Sequence, residues 1–165
     1  MTISDYTFNQ GLITFKKREV KNTPKKSKWE MLYDQQLKYS HDAGIVHDYS
    51  YESLRFQIGV GATYTPDFLV IRDGRVEIVE VKGYPHIYQG KRRCMVAEGI
   101  ARDKSILKFK TAAMIYGEEV FCDNCDQVYW RMVELSGREW KTVMMLTMGK
   151  KLTKKDIDNV DLQEN

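Results

Sequence analysis

Cysteine is scarce in this chain, with three in 165 residues. So small and odd a count excludes a disulfide scaffold and implies a reducing compartment. Long apolar runs are missing too, and none approaches the roughly 18 residues that would cross a membrane. The opening stretch MTISDYTFNQGLITFKKREV lacks the early positive charge and apolar block of a secretory signal. There are no internal repeats and no low-complexity segment, which excludes a repeat architecture. The glycines of GVGATY precede no Lys-Ser/Thr pair and no helix, so a phosphate-binding loop is not expected. His41 and His47 have no nucleophile to activate and read as surface histidines. What remains is a cytosolic protein, away from membranes, long enough for one domain with a real core.

Charge is present and unevenly spread. The net value is only +3, yet residues 1–28 hold seven Lys/Arg against two acids, and residues 91–110 repeat that balance. The last ten residues, DIDNVDLQEN, hold four acids and no base. Two basic clusters suit a partner with phosphates, since each cation placed on a phosphate releases counterions. The plain alternative is a solvated lysine-rich surface.

Residues 1–26 show weak periodicity and read as a basic arm, 27–148 as the core, and 149–165 as a polar, acidic tail. SKWEMLYDQQLKYS reads as a helix capped by Ser27, with Trp29, Leu32, Tyr33, Gln36 and Leu37 on one stripe. LRFQIGVG alternates Leu54, Phe56, Ile58 and Val60 on one face of a strand. YTPDFLVIRDGRVEIVEVKG reads as a hairpin, and residues 84–101 as a loop or insertion. RDKSILKFKTAAMIYG gives a second helix with Ile106, Phe109, Ala113 and Tyr116 on one side. EEVFCDNCDQVYWRMVEL reads as two short strands around a turn, and EWKTVMMLTM as a further element. The order α, β, β, β, α, β predicts an α/β fold, a small central mixed sheet flanked by helices.

The hairpin poses the chemical question. Asp73-Gly74 is a strong signal for a two-residue type I′ turn. With those loop residues, Arg72 faces Arg75, Ile71 faces Val76, Leu69 faces Ile78, and Asp67 faces Glu80. The last pair falls at a non-hydrogen-bonded site, where side chains come closest. Period-2 alternation sets Lys82 on the face of Glu80. Two carboxylates that near repel unless a proton or cation separates them. A hard divalent ion with oxygen ligands is the natural resolution, and Mg²⁺ typically combines one or two carboxylates with substrate phosphate. Lys82 would then position a water or neutralise charge on a scissile phosphate. A surface ion pair between Lys82 and Glu80 is the competing reading, and a one-residue bulge would undo the register.

Pro66-Asp67 followed by Glu80-Val81-Lys82 on the next strand, with Gly83 trailing and a helix ahead, resembles the core motif of the PD-(D/E)XK nuclease superfamily. The closest likeness is to the bacteriophage endonuclease I family of Holliday-junction resolving enzymes, across about residues 27–83. The resemblance implies Asp67, Glu80 and the Val81 carbonyl as metal ligands, Lys82 as the catalytic lysine, and Glu30 as the acid on the first helix. It implies Mg²⁺, with Mn²⁺ substituting, branched DNA as substrate, 5′-phosphate and 3′-hydroxyl products, and a homodimer. If the chain is phage-encoded, the implied location is the cytoplasm of the bacterial host.

Independently, Glu30 stands about 20° from Leu37 around a 3.6-residue helix, at the margin of the buried stripe. Ser27 and Glu30 also fit a capping box, and Glu52 is another candidate acid. Lys25, Lys26, Lys28, Lys91, Arg92, Arg93, Lys104 and Lys108 are expected to hold the DNA backbone without reading bases. Tyr84 and Tyr88 interleave with residues 91–93 as in single-strand or junction binders. Cys122 and Cys125 have zinc-knuckle spacing, but further ligands would have to come from Cys94 and His86 and no second CxxC exists, so zinc is not expected. Rival readings are a same-fold nuclease with another target (restriction-type, transposon-end or single-strand) and a non-catalytic nucleic-acid-binding protein.

Overall fold

A computed structural model describes residues 13–15, 25–72, 75–83, 87–88, 91–92, 104–117, 127–147, 150–151, 153 and 155–157. The first helix, α1 (Lys28–Asp42), starts where the sequence predicts. Ser27 is the N-cap, and Glu30 closes a capping box by accepting from the Ser27 amide at 3.0 Å. Gly44, at φ +77°, ends it in the left-handed conformation that glycine tolerates best. Tyr33 and Leu37 are buried and Trp29 is half-buried, but Leu32 and Gln36 face outward, so the apolar stripe is narrower than expected.

The order of elements is β1 (Ile13–Phe15), α1, β2 (Asp48–Tyr51), β3 (Leu54–Gly59), β4 (Ala62–Tyr64), β5 (Phe68–Arg72), β6 (Arg75–Lys82), β7 (Ile87–Tyr88), β8 (Lys91–Arg92), α2 (Lys104–Tyr116), β9 (Gln127–Ser136), β10 (Glu139–Thr147) and β11 (Lys150–Lys151). The fold is mixed α/β. A six-stranded sheet runs β11-β10-β9-β6-β5-β2, a three-stranded one β1-β3-β4, and β7 pairs with β8. β6 and β9 are parallel over Arg75↔Gln127 to Lys82↔Glu134. A parallel pair needs a long crossover, and α2 lies within it.

Both faces of the large sheet are covered, which is why β5 and β6 read as nearly continuous apolar runs. On one face Leu69, Ile71, Val76, Ile78, Trp130 and Met132 pack with Ile106, Phe109, Ala112, Ala113 and Tyr116 of α2. The small sheet closes that core with Leu54, Phe56 and Tyr64. On the other face Phe68, Val70, Val79, Val81 and Val133 meet Tyr33 and Leu37 of α1. Each fully buried apolar side chain of this size contributes about 1.5–3 kcal/mol.

The strand beside β5 is β2, which the sequence reading passed over; LRFQIG forms β3 in the separate small sheet instead. Val60 is fully exposed in the turn to Gly61, so the alternation stops at Ile58. The second of the two strands expected in residues 118–135 is β9 itself, ten residues long and reversing into β10 at Gly137-Arg138, with Gly137 at φ +69°; the first strand and the turn before it lie outside the described residues. Lys91 and Arg92 form β8, so the segment read as a loop contains a short antiparallel pair. β1 and β11 also draw parts of the arm and tail into sheets. Asp73-Gly74, Arg93, His86, Tyr84 and all three cysteines, Cys94, Cys122 and Cys125, lie outside the described residues. Among the described residues, no helix is long and apolar enough to cross a membrane.

Candidate functional site

The hairpin register agrees with the sequence reading along its length: Arg72↔Arg75, Ile71↔Val76 and Leu69↔Ile78. It stops at Phe68↔Val79, one pair short of Asp67 and Glu80. Pro66 has no N–H to extend the ladder. The Asp67 carbonyl instead accepts from the Glu52 amide at 2.8 Å, and its side chain takes over the ladder's role by accepting from the Val81 amide at 2.7 Å. Asp67 and Glu80 are thus neighbours without being a cross-strand pair.

Strand alternation sets Glu80 and Lys82 on the α2 face, beyond Ile78. Glu80 is buried, and both its oxygens accept bonds. Tyr64 donates its hydroxyl to Oε2 at 2.6 Å, and Lys82 donates Nζ to Oε1 at 3.0 Å. Lys82 also donates to the Ser105 hydroxyl on the first turn of α2. Burial, and next the charge of Glu80, push the Asp67 carboxyl up to about 8. The Val81 amide works against this, Glu30 adds to it, and Lys82 opposes it. Burial likewise holds the Tyr64 hydroxyl well above its usual range, with the Glu80 charge adding, so it is a donor throughout.

Glu30 sits at the start of α1, across the sheet edge from this group. Ser27 donates to it through both amide and hydroxyl, at 3.0 and 2.7 Å, and Tyr51 on β2 donates its hydroxyl at 2.5 Å. The capping role and the inward-facing role proposed for Glu30 are therefore combined in one side chain. Glu52 is a backbone device: its φ of 44° is the positive value among the described non-glycine residues. Gly83 lets α1 approach, because a Cβ there would lie 2.8 Å from Nε1 of Trp29.

The basic residues divide by surroundings. Lys26 pairs with Asp34 at 2.6 Å and stands over the Tyr51 ring at 4.8 Å, so its charge is used within the fold. Lys108 donates to the Thr63 carbonyl at 3.1 Å, tying α2 to β4 beside Tyr64. Lys25, Lys28 and Lys104 are exposed. Three hydroxyls of this region, on Tyr51, Tyr64 and Ser105, carry no signature in the sequence. Tyr64 stands three residues before Asp67 in YTPD, but nothing local says that its ring folds back under Glu80.

Among the described residues, no group of three or more His, Cys, Asp or Glu side chains is arranged around one metal position. The acids at the end of β5 and β6 come as a pair. Glu80 is buried and Asp67 half-buried, and burial with the Glu80 charge pushes the Asp67 carboxyl up to about 8, a repulsion that either a proton or a hard cation between the two would relieve. Asp67, Glu80 and the Val81 carbonyl are the groups that would hold such a cation. Compared with protein-family models, curated proteins and solved structures, this chain matches none.

Proposed function

We propose that the protein is a Mg²⁺-dependent endonuclease that hydrolyses DNA phosphodiester bonds, with branched DNA as its preferred substrate. The observation that carries this reading is the gathering of Asp67, Glu80 and Lys82 at one end of one sheet face, with Lys82 bonded to Glu80 at 3.0 Å. Along the large sheet and its two helices the chain runs α1-β2-β5-β6-α2-β9, which agrees with the α, β, β, β, α, β order expected from the sequence.

When bound, Mg²⁺ supplies positive charge to the phosphate and acidity to the attacking water. Asp67 and Glu80 would hold the ion through their carboxyl oxygens, with Asp67 fixed by the Val81 amide at 2.7 Å. Lys82 orients the incoming water and offsets the charge that gathers on the phosphate oxygens. Water adds to phosphorus, the bond to the 3′ oxygen breaks, and that oxygen leaves as a hydroxyl. Exposed cations such as Lys25, Lys28 and Lys104 hold the backbone, which positions DNA without selecting sequence.

A second reading, a nucleic-acid-binding protein without catalysis, draws on Glu30, whose oxygens are engaged by Ser27 and Tyr51. One experiment separates the two. Labelled four-way junction, flap, duplex and single-stranded DNA are offered side by side with Mg²⁺, Mn²⁺ or EDTA. Cleavage that needs the divalent ion, favours the junction and disappears in Asp67→Asn and Lys82→Ala is the expected result. Binding with no cleavage under any condition would establish the second reading.

A further inference from the structure

We infer that Tyr64 and Ser105 are positioning residues of this site, each setting the direction of one member of the Glu80–Lys82 pair; the inference rests on the nuclease reading. Both hydroxyls arrive from outside the hairpin. Tyr64 belongs to β4 of the small sheet, and Ser105 to the first turn of α2. Tyr64 is buried, and its ring lies among Phe56, Phe109 and Trp130 with centroids 6.3, 6.3 and 6.5 Å away. So fixed a ring offers Glu80 an O–H from one direction.

A carboxylate oxygen has room for two partners. With Tyr64 on Oε2 at 2.6 Å, the Glu80 plane cannot rotate about its last bond without losing that contact. Its remaining lone-pair positions then keep one orientation relative to Asp67. This is the task of an outer partner that fixes a ligand before the ligand is used.

Lys82 presents the opposite hazard. A lysine ammonium on a flexible four-carbon stem can swing about a single carboxylate contact, here Glu80 Oε1 at 3.0 Å. The Ser105 oxygen accepts a second Lys82 N–H and draws the ammonium toward α2. Lys108, one helical turn on, donates to Thr63 next to Tyr64. α2 and β4 are therefore tied together at the point where both hydroxyls are delivered.

The test uses the full chain with Tyr64→Phe, Ser105→Ala, Ser105→Thr and Lys82→Ala. Tyr64→Phe removes one oxygen and keeps the ring packing. It should lower kcat about 10–100-fold, leave KM for DNA unchanged, and weaken Mn²⁺ binding, measured calorimetrically without DNA, by a similar factor. Ser105→Ala should lower kcat while leaving Mn²⁺ binding as in the parent, and Ser105→Thr should restore kcat. A role in packing alone would shift the thermal midpoint without this division between metal binding and turnover. If Tyr64→Phe and Ser105→Ala cut like the parent while Lys82→Ala is dead, the positioning roles are refuted and the nuclease reading stands. If the parent cuts no DNA and binds no Mn²⁺, both fall together.

Discussion

Asp67 is the residue on which the proposed chemistry turns, and its titration gives a direct handle. In an unfolded chain an aspartate titrates near ~3.9, whereas burial and Glu80 push this one up to about 8. Between those values the native state holds a proton that the unfolded state has released. Its contribution is thus fully present below about pH 4 and lost as pH rises through about 8. The metal-free protein should lose thermal stability steadily over that interval. Mg²⁺ added above about pH 8 should restore it, by about 2.7 kcal/mol at a hundredfold excess over Kd. Asp67→Asn should flatten the slope and abolish the recovery, and a midpoint indifferent to pH would refute the assignment.

Glu77 behaves in the reverse sense. Burial raises its pKa, but Arg131, Arg72 and Arg75 outweigh burial and leave it depressed. It is fully buried, with guanidinium nitrogens at 3.3, 3.4 and 3.3 Å. Its stabilisation is present above the usual glutamate range and is lost as pH falls through its depressed value. Glu77→Gln removes the buried carboxylate that Arg131, Arg72 and Arg75 share, a loss of about 3–5 kcal/mol. Urea denaturation should show it as a lower midpoint with unchanged metal binding.

At the scale of elements, the packing of α1 on Gly83 at the end of β6 sets where Glu30 stands. Ser27→Ala removes a cap and should cost about 1 kcal/mol. It also frees Glu30 from one of its donors, so helix stability and activity need not move together. Gly83→Ala is a sharper test of the packing, since the new Cβ would lie 2.8 Å from Trp29 Nε1 and 2.9 Å from its Cδ1. Overpacking of this kind costs about 1–3 kcal/mol. The expected signature is a lower midpoint with a shift in tryptophan emission. An unchanged spectrum would mean that α1 does not rest on Gly83.

Over the whole molecule, charge and fold divide the lysines into two groups. Replacing Lys25 or Lys28, both exposed, should weaken binding equally on every DNA and lower the salt slope by about 1. Replacing Lys26 should instead cost stability, because it pairs with Asp34 and covers the Tyr51 ring. Anisotropy titrations across salt concentrations would read both effects. Equal slopes for all three variants would refute the division.

Local pattern alone determined the helix from Ser27, the register of the β5–β6 hairpin and the shared face of Glu80 and Lys82, because each follows from spacing over a few residues. Tertiary structure decided the rest. DYSY has no strong alternation, and it became the strand beside β5 because the sheet edge there offers its backbone partners. Asp67 left the ladder because Pro66 could not extend it, and Glu30 took on two roles because Tyr51 arrived from another strand. Tyr64 and Ser105 met Glu80 and Lys82 only through long-range packing. A hydroxyl's partner is fixed by where the chain returns in space, and spacing along the sequence carries no record of that return.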